Sequence, residues 1–142
     1  MDRTAEARWT GDLKTGAGTL RPGSGAFEAP YSFLSRFESG AGTNPEELLG
    51  AAHAGCYSMA LSLALALAGH PPKSVTTTAT VHLTKVGPGF AITGIDLATR
   101  GIVPGVAAAE FQRMAEETKV HCIISKALAA VPMRLDAQLV AG

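Results

Sequence analysis

Alternation of apolar and polar residues predicts strands at both ends of the chain. A period of two residues, the period of a half-buried strand, recurs clearly in several segments and more weakly in others. A cluster of Gly and Pro at 87–89 separates two of these segments and predicts a hairpin between them. The predicted strands cover residues 4–10, 31–37, 75–84, 90–99 and 133–139, and the Gly- and Thr-rich stretch 14–25 can contain a further short strand.

A continuous apolar segment in the middle of the chain predicts a long helix. Asn44 supplies an N-cap and Pro45 the first helical position, and the segment ends at Gly69 before two prolines. No Lys, Arg, Asp or Glu occurs in 48–68, so nearly every side of the helix is apolar or small. Because such a helix must be covered on every side, and one small domain has little material to cover it, we expect a homodimer.

The length of this helix would also permit a membrane span, since about 20 apolar residues cross a bilayer. Polar residues at His53, Ser58 and Ser62 interrupt the segment, however, and no cluster of Lys or Arg and no Trp belt marks its ends. We therefore expect the helix to be buried in protein and the chain not to enter a membrane.

Two further helices are predicted at 106–121 and 123–130, the second ended by Pro132. Strands, a long helix, strands, helices and a last strand follow one another, which predicts an α+β fold with a largely antiparallel sheet packed against helices. The 142 residues have the length of one ordinary domain, and no repeat or linker interrupts them. We expect a single domain over 1–142.

Charge and composition limit the possible partners. Twelve basic and twelve acidic residues balance, so no long-range field attracts nucleic acid or acidic lipid. Residues 1–10 lack the apolar centre and cleavage site of a secretory signal, so we expect a cytoplasmic location. In a reducing cytosol, a pair of cysteines is catalytic, metal-binding or simply buried.

Cys56 lies in the middle of the predicted helix and permits two interpretations. It is either an inert core thiol or a reactive one. A thiol in mid-helix gains little from the helix dipole, and burial raises its pKa, so reactivity would require a nearby cation. Arg36 is a candidate because its guanidinium is always charged and offers two parallel donors, although it could equally be a solvated strand residue.

Two acidic residues in the first turn of the helix could hold such an arginine. Glu46 is roughly 80° around the helix axis from Cys56, whereas Glu47 falls on the opposite side. If either assists Cys56, Glu46 is therefore the candidate, with the task of fixing Arg36 in place. Both residues could instead only stabilise the helix N-terminus.

Cys122 lies between the two C-terminal helices. If it opens the second of them, that terminus favours its thiolate, and an inert core thiol is the alternative. A zinc site formed by His53 and Cys56 with His121 and Cys122 is a third interpretation. Adjacent His121 and Cys122 are poorly placed to converge on one ion, and the chain has no CxxC pair.

Residues 43–62, TNPEELLGAAHAGCYSMALS, resemble the signature of the osmotically inducible protein C (OsmC) branch of the OsmC and organic hydroperoxide resistance superfamily. The similarity covers nearly the whole chain. It implies a cytoplasmic, intertwined α+β homodimer, in which antiparallel sheets flank long central helices and the active sites lie at the subunit interface. Further matching segments are 9–12, 35–38, 89–93 and Cys122 with Ser125.

The resemblance also implies roles for individual residues. Cys56 matches the peroxidatic cysteine and Cys122 the resolving cysteine, while Arg36 matches the activating arginine and Glu46 the carboxylate that holds it. These roles imply reduction of organic hydroperoxides, and of hydrogen peroxide, through a Cys56 sulfenic acid and a Cys56–Cys122 disulfide. An external thiol or dithiol would reduce the disulfide, and no metal, haem or flavin is needed. Ile123 is a departure, because members often have proline there.

One alternative from another functional class stays open. A dimer with an apolar helix between its subunits could bind an apolar ligand, with both thiols unreactive. Reactivity of Cys56 towards a hydroperoxide distinguishes this binding module from the peroxidase.

Overall fold

The computed structural model describes all residues from Met1 to Gly142 and contains six strands and four helices. The predicted α+β class is confirmed. The strands are β1 (Ala5–Thr10), β2 (Ala17–Pro22), β3 (Ala29–Ser32), β4 (Ser74–Val86), β5 (Gly89–Ile102) and β6 (Met133–Leu139). The helices are α1 (Phe33–Phe37), α2 (Pro45–Leu67), α3 (Ala108–His121) and α4 (Ile123–Ala127). The chain divides into two compact units, Met1–Leu48 and Leu49–Gly142. The single domain predicted over 1–142 stays a prediction.

The first unit contains an antiparallel sheet in the order β1-β2-β3, followed by α1. The predicted strand at 31–37 is wrong beyond Ser32, where the chain turns into α1. The cause is a capping box: Ser32 Oγ accepts the Ser35 N–H at 3.1 Å, and Ser35 Oγ accepts the Ser32 N–H at 2.9 Å. Phe33 and Phe37 still share a face, with ring centroids 5.0 Å apart, because residues four apart meet on a helix.

The second unit contains a sheet in the order β4-β5-β6. The hairpin of β4 and β5 is antiparallel, as predicted, and Gly87 adopts a φ of 58° in its turn. β6 pairs with β5 in parallel, with Leu135 opposite Leu97. The sheet is therefore mixed, because α3 and α4 connect β5 to β6 and allow the chain to return in the same direction.

One face of α2 supplies part of the hydrophobic core of this second unit. Tyr57, Leu61 and Leu65 repeat at intervals of four residues and are fully buried. They belong to one cluster with residues of β5 and α3. The Tyr57 hydroxyl donates a hydrogen bond to the Ala115 carbonyl at 2.9 Å, so the only polar atom of this side chain is satisfied.

The rest of α2 is not covered within one chain. Met59, Leu63 and Leu67 form a second stripe of four-residue spacing and are 77%, 61% and 80% exposed. By length and composition α2 could cross a membrane, and only 28% of its most apolar 18-residue window is buried. One copy of the chain thus leaves this stripe uncovered, as expected for a small domain with little material to surround the helix, and its cover by a second copy stays a prediction.

Gly101 in β5 allows the ring of Phe111 to lie against the strand. A Cβ at this position would come 2.5 Å from Cε2 and 2.8 Å from Cζ of that ring, which is 1% exposed. We expect Gly101→Ala to lower the free energy of unfolding by about 1–3 kcal/mol, because the packed ring cannot move away freely. Urea denaturation of both proteins measures the difference.

Gly89→Ala is the matched control, since Gly89 lies in the same strand and no atom lies within 4 Å of its added Cβ. We expect a change within about 0.5 kcal/mol. Equal destabilisation in both variants would contradict the steric explanation.

Candidate active site

The two cysteines meet inside the second unit. Cys56 is half-buried midway along α2, and Cys122 is 2% exposed at the junction of α3 and α4. Both thiols are free, and the Cys122 thiol donates a hydrogen bond to Cys56 Sγ at an Sγ–Sγ distance of 3.0 Å. A disulfide bond is about 2.05 Å long, so the sulfurs need to move only about 1 Å towards each other to bond.

Local backbone geometry explains the position of Cys122. With φ −53° and ψ 135°, Cys122 interrupts the helical path between α3 and α4. Its N–H donates to the Thr118 carbonyl at 2.9 Å, and its carbonyl accepts from the Lys126 N–H at 3.0 Å. Cys122 therefore ends one helix and begins the next, and α4 begins at Ile123 without a proline.

Hydrogen bonds at Cys56 favour its thiolate. Burial raises the pKa of Cys56, but the Cys122 thiol and the backbone N–H groups of Ile124 and Ile123 outweigh burial and lower it overall. The sequence suggested that only a cation could activate this thiol, whereas three neutral donors already lower its pKa. A proline in place of Ile123 would have no N–H to contribute.

The pKa of Cys122 is shifted in the opposite direction. Burial and the hydrogen bond with Cys56 raise the pKa of Cys122, and hydrogen bonds from Ser125 and the Ile124 N–H offset only part of this. The prediction that the start of α4 favours the Cys122 thiolate is therefore wrong in its net direction, because burial dominates. A single negative charge on the pair is therefore more stable on Cys56 than on Cys122.

The pKa of Cys56 should rise when its thiol donor is removed. A lowered pKa keeps the thiolate populated to lower pH, so Cys122→Ala should move the pH dependence of Cys56 alkylation by iodoacetamide to higher pH. Cys122→Ser keeps a donor and should retain most of the wild-type profile. Identical profiles for wild type and Cys122→Ala would contradict this account of the Cys56 pKa.

Arg36 and Glu46 meet inside the first unit. The Arg36 guanidinium donates from Nη2 to Glu46 Oε1 at 2.8 Å and from Nε to both carboxylate oxygens at 3.2 and 3.3 Å. Glu46 is 7% exposed, and the guanidinium carbon lies 5.2 Å from the centroid of the Phe37 ring. The Glu47 carboxylate is occupied elsewhere, because its Oε2 accepts a hydrogen bond from the Thr43 hydroxyl at 2.9 Å. The backbone N–H of Glu47 donates to Asn44 Oδ1 at 2.8 Å as part of the helix cap.

The predicted site residues thus form two pairs, each within one unit: Cys56 with Cys122, and Arg36 with Glu46. Arg36 also lines a cavity of about 200 Å³ whose other walls are largely aromatic. The lining residues are Trp9, Leu13, Tyr31, Ser32, Phe33, Arg36 and Phe37.

His53 has a partner that the sequence did not reveal. His53 is fully buried, and its Nε2 lies 2.8 Å from Oγ of Ser125, which is 4% exposed. The sequence suggested His53 only as a zinc ligand, but no group of three or more His, Cys, Asp or Glu side chains converges in a geometry that could hold a metal ion. His53 and Ser125 are 72 residues apart, so no local spacing could have paired them.

Comparison with known proteins gives consistent matches. The family model described as OsmC-like protein matches residues 38–136. Proteins named Peroxiredoxin OsmC from Escherichia coli (strain K12) and Shigella flexneri are each 49% identical over 140 residues, covering 98% of this chain and 97% of each relative.

Solved structures share the fold at low sequence identity. The organic hydroperoxide resistance protein OhrB of Bacillus subtilis superposes with a TM-score of 0.74 at 22% identity, covering 95% of this chain and 98% of that one. An OsmC-like protein from Mycoplasma pneumoniae superposes with a TM-score of 0.73 at 14% identity, covering 99% of both chains.

Proposed function

This chain belongs to the OsmC-like protein family, and we propose that it is a cysteine-based peroxidase that reduces organic hydroperoxides. The reduced thiol pair supports this function best. Its sulfurs are 3.0 Å apart, and the pKa of Cys56 is lowered while that of Cys122 is raised. These shifts favour Cys56 as the attacking thiolate and Cys122 as a neighbouring protonated thiol.

The reaction begins with attack of the Cys56 thiolate on the distal oxygen of the hydroperoxide. The O–O bond breaks, the alkoxide takes up a proton and leaves as an alcohol, and Cys56 becomes a sulfenic acid. Cys122 then attacks the sulfenic sulfur, which forms the Cys56–Cys122 disulfide and releases water. An external thiol or dithiol restores both cysteines through a mixed disulfide.

Arg36 and Glu46 supply the cationic part of the proposed site. A guanidinium can stabilise the charge that develops on the departing peroxide oxygen, provided that its orientation is fixed. Three hydrogen bonds to one nearly buried carboxylate fix it. We therefore assign Arg36 as the activating residue and Glu46 as the residue that positions it.

An apolar substrate suits the surroundings of the thiol pair. A cavity of about 200 Å³ adjoins Cys122, with Ala60, Ala64 and Met114 among its walls. Burial of a hydrocarbon group there is favourable, so an organic hydroperoxide gains binding free energy that hydrogen peroxide lacks. Hydrogen peroxide undergoes the same chemistry and is proposed as the weaker substrate.

A second copy of the chain is the proposed cover for the exposed stripe of α2. Met59, Leu63 and Leu67 form a continuous apolar face with no charged residue in the helix beyond its first turn. Burying such a face against its own copy removes it from water, and we propose a homodimer in the cytoplasm, where thiols stay reduced. Light scattering at micromolar concentration should give twice the mass of one chain, and the mass of one chain would contradict the dimer.

Intact-mass analysis tests the peroxidase itself. Reduced wild type and Cys122→Ser each receive one equivalent of cumene hydroperoxide. We expect the wild type to lose two hydrogens, through disulfide formation, and Cys122→Ser to gain one oxygen, through a sulfenic acid on Cys56. Unreacted thiols in both proteins would overturn the peroxidase and favour the alternative, a dimer that binds an apolar ligand.

A further inference from the structure

The reduced thiol pair has the geometry of a chelating site for a single atom. Cys56 on α2 and Cys122 at the junction of α3 and α4 are both free, and their sulfurs lie 3.0 Å apart. Two sulfurs bonded to one larger atom lie farther apart than two sulfurs bonded to each other, whose distance is about 2.05 Å. The observed spacing is already wider than that of a disulfide, so an atom that bridges both sulfurs requires little movement of either helical segment.

The available ligands limit which atom this site can hold. Zinc takes four protein ligands in a structural site, but Cys56 and Cys122 are the only cysteines of the chain, and no group of three or more His, Cys, Asp or Glu side chains converges. Linear two-coordinate ions such as Hg(II) hold their sulfurs on opposite sides, which requires a much larger separation than 3.0 Å. The site therefore suits an atom that binds two thiolates side by side and carries its remaining substituent itself.

Trivalent arsenic has these properties. It is a soft, pyramidal centre with three substituents, and soft centres prefer thiolate sulfur to oxygen. A monosubstituted trivalent arsenical carries one organic group and two hydroxyl groups, and thiols replace the hydroxyl groups. Two thiols therefore complete its coordination, whereas inorganic arsenite has three exchangeable positions and finds no third cysteine in this chain.

A cavity beside the pair can accept the organic group. This cavity of about 200 Å³ is lined by Cys122, by Met114 of α3 and by Ala60 and Ala64 of α2, and it is largely apolar. Ala60 and Ala64 are four and eight residues after Cys56, so all three lie on one side of the helix. An organic group on an arsenic atom held between the sulfurs would be buried against these small side chains, which is favourable for a hydrocarbon.

We propose that Cys56 and Cys122 together form a chelating site for monosubstituted trivalent arsenicals, with the arsenic atom between the two sulfurs and the organic group in this cavity. The site uses the proposed catalytic pair but does not depend on its reaction with peroxides. Because the bound ligand occupies both thiols, it also blocks every reaction that requires either of them.

The binding step balances without an oxidant or a reductant. Cys56 is the more exposed thiol and replaces the first hydroxyl group of the arsenical, and Cys122 then replaces the second. Two S–H bonds and two As–O bonds break, two As–S bonds form, and two water molecules leave. Arsenic and both sulfurs keep their oxidation states.

Calorimetric titration and native mass spectrometry with phenylarsonous acid test the site in the reduced full-length protein. We expect one arsenical per chain, with loss of two water molecules in the mass of the adduct. Cys56→Ser and Cys122→Ser each leave one thiol and should bind at least about a hundredfold more weakly, because the second bond of a chelate forms within one molecule. Ser58→Ala is the control, since it removes only a contact of α2 with Thr77 Oγ1 at 2.8 Å and should keep the wild-type affinity.

Ala64→Leu tests the position of the organic group. A leucine at this position fills part of the cavity that Ala64 lines. We expect the affinity for phenylarsonous acid to fall about tenfold and that for methylarsonous acid to change by less than about threefold, because the methyl group needs less space. Equal losses for both ligands would contradict the position assigned to the organic group.

Two results would overturn the chelating site itself. They are wild-type affinity in either folded single-cysteine variant, and two arsenicals bound to one reduced wild-type chain. Circular dichroism establishes folding, and competition on the wild type provides the decision if these variants do not fold. A chelated arsenical resists an excess of 2-mercaptoethanol and is released by dithiothreitol, so release by the monothiol would also overturn the site. Failure of the peroxidase is observed separately, as a Cys56 that resists cumene hydroperoxide, and leaves the arsenical titration unchanged.

Discussion

Cys56→Ser should abolish the reduction of cumene hydroperoxide. We expect the catalysed rate to fall by at least about a thousandfold, to the background of the reductant alone, as removal of a covalent nucleophile typically does. A serine hydroxyl remains protonated at neutral pH and does not attack the O–O bond, whereas the hydrogen bonds around Cys56 lower the pKa of its thiol. Peroxide consumption with excess dithiothreitol measures the loss.

Cys122→Ser is the matched comparison, because it removes the other sulfur of the same pair. This variant should complete one rapid oxidation of Cys56 and then lose activity with repeated exposure, as the unresolved sulfenic acid is oxidised further. If Cys56→Ser retains turnover while Cys122→Ser has none, the two assignments are reversed.

Arg36→Gln should slow the oxidation of Cys56 by about a hundredfold, the usual cost of removing a group that stabilises charge in the transition state. Glutamine can still donate hydrogen bonds, but it carries no charge and cannot donate from two nitrogens to the Glu46 carboxylate as the guanidinium does. Reduced protein is mixed with cumene hydroperoxide, the reaction is quenched at successive times, and mass spectrometry measures the fraction of oxidised Cys56, which gives the rate of this first step. Glu46→Gln should have a smaller effect, since Arg36 keeps its charge and loses only its alignment.

Arg113→Gln is the control for this substitution. Arg113, like Arg36, forms ion pairs, in its case with Glu110 and Glu117, but it lies on the exposed side of α3. We expect the oxidation rate to be unchanged, because exposed ion pairs contribute little. Equal rates for Arg36→Gln and wild type would contradict the activating role of Arg36.

The long helix and the last strand could be predicted because their signals are local. Asn44 and Pro45 define the start of α2, and Gly69 follows its end, so α2 was expected within a residue of its observed bounds. The strand predicted at 133–139 has the bounds of β6, because an unbroken alternation follows Pro132. The strand predicted at 31–37 is wrong because Ser32 and Ser35 form a capping box that begins a helix there. Phe33 and Phe37 are four residues apart, a spacing that places them on one face of a helix as well as on one face of a strand.

The chemistry of the site depends on contacts that no local pattern encodes. Sequence similarity suggested that Cys56 and Cys122 meet, but not that backbone donors from α4 reach Cys56 and reverse the effect of burial on its pKa. The parallel pairing of β6 and the contact of His53 with Ser125 are also long-range, and periodicity contains no information about which distant elements pair.

The uncovered stripe on α2 has a consequence for how the protein responds to dilution. If a second copy covers Met59, Leu63 and Leu67, part of the folding free energy is released only on association. The melting temperature should then rise with protein concentration, and a cell that makes little of this protein would hold a larger share of it as separate chains. Those chains expose an apolar surface that chaperones and proteases recognise, so abundance itself would set the lifetime of the protein.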